Sequence, residues 1–211
     1  MTTNAPSPRK GRAATGRAIL SAAKAVLAED GFQGFGINAV ARRAGCDKQL
    51  IYRYFGGLEG LVDAIGADLA AGLEDSLDFT LTDRPATYAE FAERMALTFL
   101  DTFRADALLQ KIAAWEVAAA SPLVRRLTAA RSQRLSRWIV AQRGDLAPPA
   151  GIDAAAANAV IIAAMQHLVL ASAAAGEFSG MPLRAPADWD RVRETVCALV
   201  RSLFGASTPS P

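Results

Sequence analysis

Between Gly36 and Phe55 the apolar positions fall into two short helical runs. Ile37, Val40, Ala41 and Ala44 recur at the three-and-four spacing that gathers side chains on one face of a helix. Gly45 stops that run, because glycine takes the left-handed conformation that closes a helix, and Asp47 offers a carboxylate to the free amides that open the next. At about 100° per residue, the second run turns Ile51 and Phe55 to one side, with Leu50 and Tyr54 flanking them. Lys48, Gln49, Tyr52 and Arg53 then share an opposite arc of roughly 140° on the same geometry. Such a face suits a DNA groove: Arg and Lys match guanine edges or phosphates, Gln pairs with adenine, and a tyrosine hydroxyl donates to a phosphate oxygen. An ordinary solvated face has the same composition. The preceding helix, the glycine turn and the Asp cap together favour a helix-turn-helix DNA reader.

Ahead of this motif, MTTNAPSPRKGRAATGR has no apolar periodicity, so residues 1–14 are expected to form a flexible basic arm, with Arg12 and Arg17 reaching phosphates or the minor groove. Residues 15–57 then form the DNA-binding domain, 58–205 a larger helical domain and 206–211 a flexible tail. The spacing beyond residue 58 predicts helices to about Ser76, over Thr87–Arg104, Ala107–Ala119, Pro122–Arg143, Asp153–Ala175 and Asp188–Phe204. They are separated by Pro and Gly breaks, and strand signals are nearly absent, so the fold class is all-α. Ala154 to Ala175 carries no charge and has the length to span a bilayer, but Asn158, Gln166 and His167 would lie in lipid and its flanks lack basic asymmetry. It reads better as a helix covered by protein, and no membrane association is expected.

The stretch from Ala18 to Ile65 resembles the DNA-binding domain of the TetR (TetR/AcrR) family of bacterial repressors. Gly31-Phe32, Val40-Ala41, Ala44-Gly45, Ile51-Tyr52, Tyr54-Phe55, Glu59 and Leu61 all fall in that family's register. Five positions depart from it. Cys46 replaces a buried valine, and Asp47 replaces a serine cap while keeping an acceptor. Gly36 stands where threonine usually caps the first helix of the motif, Gln49 where glycine or alanine is favoured, and Leu58 where a lysine touches phosphate. The resemblance implies a homodimeric, ligand-responsive repressor that holds two reading helices ~34–36 Å apart over a near-palindromic DNA operator. Tyr54 would add a phosphate contact. The last two long helices would form the dimer interface, through Ile161, Ala164, Leu168, Val192, Val196, Leu199 and Leu203. An effector binding the larger domain would lower DNA affinity by the same factor that DNA lowers effector affinity.

Charge agrees with this reading. Residues 1–65 hold nine Lys or Arg against five Asp or Glu, whereas residues 66–211 hold fourteen against sixteen. A basic front beside a slightly acidic body suits phosphate attraction. Phe91, Met95, Phe99, Trp115, Trp138, Met165 and His167 are candidates for an apolar effector cavity, although core packing explains such residues equally well. Nothing suggests an enzyme: no nucleophile, base and orienting residue form a set, no Gly-rich phosphate loop follows a strand, and a single histidine leaves no histidine pair for a metal. No cofactor is expected. Two widely separated cysteines, Cys46 and Cys197, suit the cytoplasm, and a redox role would require Cys197 to meet its symmetry mate or Cys46 to be oxidised in the turn. The competing reading is a helical ligand- or partner-binding module whose DNA motif has decayed.

Overall fold

The computed structural model describes residues 8–76, 84–118 and 121–205. Among them are nine helices, α1 Pro8–Gly34, α2 Ile37–Ala44, α3 Lys48–Phe55, α4 Leu58–Ser76, α5 Tyr88–Ala105, α6 Ala107–Ala118, α7 Pro122–Arg143, α8 Ala154–Ala174 and α9 Pro186–Phe204. A short antiparallel hairpin, β1 Glu177–Phe178 with β2 Met181–Pro182, joins α8 to α9. It turns on Ser179 and Gly180, both at positive φ, and its two-residue strands are too short to leave a periodic signal.

Helix α1 starts earlier than expected. Residues 8–14, expected in a flexible arm, form its first two turns. Proline is accommodated where a helix opens, and the Arg, Ala and Lys that follow are strong helix formers. The missing periodicity fits the exposure of residues 11–14. Residues 1–7 of the expected arm and the expected tail at 206–211 lie outside the described residues.

The chain forms two compact units. The first runs to Ala70 and takes in Trp115–Arg134; the second comprises Ala71–Ala114 and Leu135–Pro211. The division thus falls within α4, α6 and α7.

In the first unit, Ile19, Ala23, Val26 and Leu27 bring one face of α1 to a core shared with Val40, Ile51, Leu61 and Ile65. Val124 and Leu127 of α7 are buried as well. Ion pairs ring α4: Lys24 Nζ lies 2.6 Å from Asp68, Arg126 donates twice to Asp63 at 2.7 Å, and it reaches Glu59 at 2.9 Å. Glu116 accepts from Thr128 at 2.6 Å and pairs with Arg131.

In the second unit α5 packs on α8 and α9. Ala92, Ala96, Leu100 and Phe103 of α5 meet Ile161, Met165 and Val169 of α8 and Trp189, Val192, Val196 and Val200 of α9. Thr87 and Asp153 cap α5 and α8, accepting from Glu90 N at 3.2 Å and Ala156 N at 3.0 Å. The Trp189 indole donates to Leu183 O at 3.1 Å, with the Arg104 guanidinium 4.1 Å from its ring centroid. Arg201 donates to Glu93 through two nitrogens, at 2.8 and 2.7 Å. These bonds hold the Glu93 carboxyl below its ordinary range, against the opposing effect of burial.

Candidate nucleic-acid interface

The reading element is built from short-range chemistry. Gly45 adopts the left-handed conformation at φ 61°, ψ 35°, while Cys46 N donates to Ala41 O at 3.0 Å, closing α2. The Asp47 carboxylate accepts from Gln49 N at 2.7 Å, opening α3. At the other end of α2, Gly36 is extended at φ −172° and provides no side-chain cap, as its replacement of threonine implies. Arg43 fixes α2 to α1 through a two-pronged pair with Glu29 at 2.5 and 2.6 Å.

Helix α3 divides as its sequence predicts. Ile51 is fully buried, Leu50, Tyr54 and Phe55 are half-buried, and Lys48, Gln49, Tyr52 and Arg53 are exposed. Tyr52 keeps 51% of its surface open, which leaves its ring and hydroxyl available to an incoming duplex. The basic residues of this unit fall into two groups. Lys24 and Arg43 are neutralised by Asp68 and Glu29, whereas Arg12, Arg17, Lys48 and Arg53 have no ion pair among the described residues. Arg42, exposed on the last turn of α2 and not singled out by the sequence pattern, is likewise without one. Unneutralised cations with exposed hydrogen-bonding side chains are what phosphate and base-edge contact require. Arg12 and Arg53 both approach the Tyr54 ring, at 5.6 and 5.5 Å from its centroid. No local pattern could have revealed that meeting across 41 positions.

The expected effector-lining residues are distributed over both units, with Met165 and Phe99 in one core cluster of the second. Met165 is fully buried in the core of the second unit, Phe91 is buried, and Phe99 stacks on Phe103 with centroids 5.7 Å apart. Met95 and Trp138 are half-buried. His167 is exposed and meets Phe178 of the hairpin edge-on at 4.6 Å. Trp115 belongs to the first unit, where it packs edge-on against Phe32 at 5.4 Å. A Cβ on Gly31, which sits at φ 66° where α1 kinks, would lie 3.2 Å from that indole. Trp115 fills the space beside the kink. An open groove of about 690 Å³ at the α5–α6 corner is bordered by Thr98, Asp101, Thr102 and Leu108, and by none of the expected residues.

The expected dimer contacts divide between the chain's own core and its surface. Ile161, Val192 and Val196 are buried within the chain's own core, and Leu168 and Leu203 pack against it. Ala164 and Leu199 are exposed. With Met165 pointing inward, a turn of about 100° per residue sends Ala156, Val160, Ala163 and His167 outward, and all four are exposed. Helix α8 is apolar on both faces, so its periodicity did not distinguish the inner face from the outer. It is long and apolar enough to cross a membrane, yet only 17% of its most apolar window is buried in the chain.

The first unit thus presents a capped helix-turn-helix with an exposed face that carries Lys48 and Arg53. Residues 19–65 match the model of "Bacterial regulatory proteins, tetR family". An uncharacterised HTH-type transcriptional regulator of Mycobacterium tuberculosis is 27% identical, over 78% of this chain and 90% of its own length. Among solved structures, a TetR family transcription regulator from Marinobacter aquaeolei aligns at a TM-score of 0.61 with 18% identity, covering 92% of this chain and 97% of that one. The transcriptional regulator FadR from Bacillus subtilis, in complex with stearoyl-CoA, aligns at 0.60 with 18% identity, covering 90% and 99%. A multidrug-binding protein, EbrR, complexed with imidazole, aligns at 0.57 with 16% identity, covering 92% and 97%. Residues 19–65 thus carry a DNA-binding domain of the TetR type, and the chain is similar in fold to regulators of that family. Regulators of this family bind operator DNA, typically dimerise and are generally non-enzymatic.

Proposed function

We propose that this regulator is a cytoplasmic homodimeric repressor that reads a near-palindromic operator through Lys48, Gln49, Tyr52 and Arg53, and that a small-molecule effector binding the second unit releases it. The observation that carries the reading is the α3 face: four exposed side chains suited to bases and phosphates, fixed by the Asp47 cap and the Gly45 turn, with Lys48 and Arg53 unneutralised. Arg12, Arg17 and Arg42 extend the phosphate contacts. The dimer forms on the uncharged outer face of α8, around Val160 at 69% exposure, together with Leu199 of α9 at 50%. Large apolar side chains left exposed in this way favour burial against a partner. Two copies give two α3 helices, which is what a palindromic site requires. The effector acts by preferring a conformation in which those helices no longer match successive major grooves.

The test is to incubate the purified protein with fragmented genomic DNA of its source, recover and sequence what stays bound at moderate salt, and repeat with Tyr52→Ala combined with Lys48→Ala. Enrichment of a near-palindrome by the wild type alone is expected. A folded dimer that enriches nothing overturns the reading in favour of a module whose DNA motif has decayed. The genes beside the recovered site identify candidate effectors, and one of them must weaken binding for the released-repressor mechanism to stand.

A further inference from the structure

We propose that Tyr54 is a positioning residue that holds Arg12 of α1 and Arg53 of α3 together as one phosphate clamp, and that its hydroxyl is not itself the phosphate ligand. The inference rests on the DNA-reading function proposed above and assigns part of that interface to an element outside the two helices of the motif. Both guanidinium carbons lie within 5.6 Å of the Tyr54 ring centroid, inside the range of about 6 Å over which the ring's quadrupole attracts a cation. They are therefore no more than 11.1 Å apart. Neither has a carboxylate partner among the described residues, unlike Lys24 and Arg43 in the same unit. Two unneutralised like charges at such a separation repel each other, and a shared aromatic ring offsets that repulsion. An anion between or beside them removes it, and DNA supplies phosphate.

The ring is itself well placed to carry both. Tyr54 is half-buried and packs beside Phe55, with ring centroids 6.4 Å apart. A Cβ on Gly16 would lie 3.4 Å from its Cδ1, so the α1 backbone passes directly alongside the ring. Because residues 8–16 are helical, Arg12 is presented from a fixed backbone and loses less conformational freedom on binding than it would from an unstructured arm. Tyr54 thus connects α1 to the C-terminal half of the reading helix, and its orientation sets where two of the unneutralised cations meet the duplex.

The test measures binding of a labelled mixed-sequence duplex of about 30 base pairs as a function of salt, because removing one cation from the phosphates lowers the slope of log affinity against log salt by about 0.9. Arg12→Ala should lower the slope by about one, and Tyr54→Leu by one to two, with about tenfold weaker binding at low salt. Tyr54→Phe, which keeps the ring and removes the hydroxyl, should restore the wild-type slope. Adding Tyr54→Leu to Arg12→Ala should cost less than Tyr54→Leu costs alone, the signature of coupled residues. If Tyr54→Phe weakens binding as much as Tyr54→Leu, the hydroxyl is the ligand and the proposal is wrong. It also fails if Tyr54→Leu, folded by circular dichroism, keeps the wild-type slope. Absence of wild-type binding to any duplex at low salt overturns the DNA-reading function, and this inference with it.

Discussion

Replacing Gly36 with serine should stabilise the protein, and the structure allows the gain to be estimated. Helix α2 begins after Gly36 with no side-chain hydrogen bond to its first free amides. The residue is extended at φ −172°, ψ 166°, a conformation open to any residue, and a Cβ built there meets nothing within 4 Å. Serine would therefore enter without strain, and its hydroxyl would accept from an amide of the first turn. A serine cap exceeds glycine by a few tenths of a kcal/mol, and losing glycine's freedom in the unfolded chain adds about 0.4–1 kcal/mol. The sum is about 0.5–1.5 kcal/mol, or about 1–6 °C in Tm for a chain of this length. The assay is thermal denaturation at fixed protein concentration, because any self-association makes Tm depend on concentration. Gly36→Ala is the control: it gains the same backbone restriction but has no acceptor, and alanine is a poor cap. A Gly36→Ser protein no more stable than Gly36→Ala would refute the capping argument.

Three further outcomes are expected. Gly60→Ala would place a methyl group 1.8 Å from the Phe55 carbonyl oxygen, so the α3–α4 turn must shift. The cost should be about 1–3 kcal/mol in urea unfolding, with weaker DNA binding, and unchanged stability would contradict this close approach. Glu93 has its pKa lowered by Arg201, so its contribution to stability is present above the ordinary carboxylate value of 4.5 and disappears as pH falls through the lowered folded value. Glu93→Gln should thus be less stable than wild type at pH 7, with the gap narrowing as pH falls below 4.5; a gap that stays constant as pH falls would show that Glu93 is not responsible. Burial, and then its hydrogen bond with Glu93, pushes the Cys197 thiol up, so little thiolate exists at neutral pH. Iodoacetamide should label Cys197 far more slowly in the native protein than in urea, and peroxide should leave it monomeric on a non-reducing gel. Rapid native labelling would revive a redox role.

Helix ends were legible wherever the signal lay within a few residues. Asp47, Thr87 and Asp153 cap the helices they precede, Gly45 closes α2, and α7 spans Pro122–Arg143 as its flanking breaks predict. The start of α1 was not legible, because apolar periodicity reports burial and residues 11–14 are exposed. The surroundings of the candidate effector residues were not legible either: Trp115 lies against Phe32, Met165 lies in the core and His167 is exposed. Nor could any local pattern show that Arg126 pairs with Asp63 and Glu59 across more than sixty positions.

What the sequence determined by itself is therefore the reading element: two short helices, their turn and the division of α3 into a buried and an exposed side. Each follows from backbone propensity, capping and a period of ~3.6 residues, all of which act within one or two turns. The tertiary structure alone decided which cations are neutralised, that Arg12 and Arg53 meet on Tyr54, and which face of α8 is left open. Those depend on which surfaces approach after folding. For an alanine-rich helix that is apolar all round, burial would favour either face, and only the packing of α5 and α9 against Ile161, Met165 and Val169 selects one.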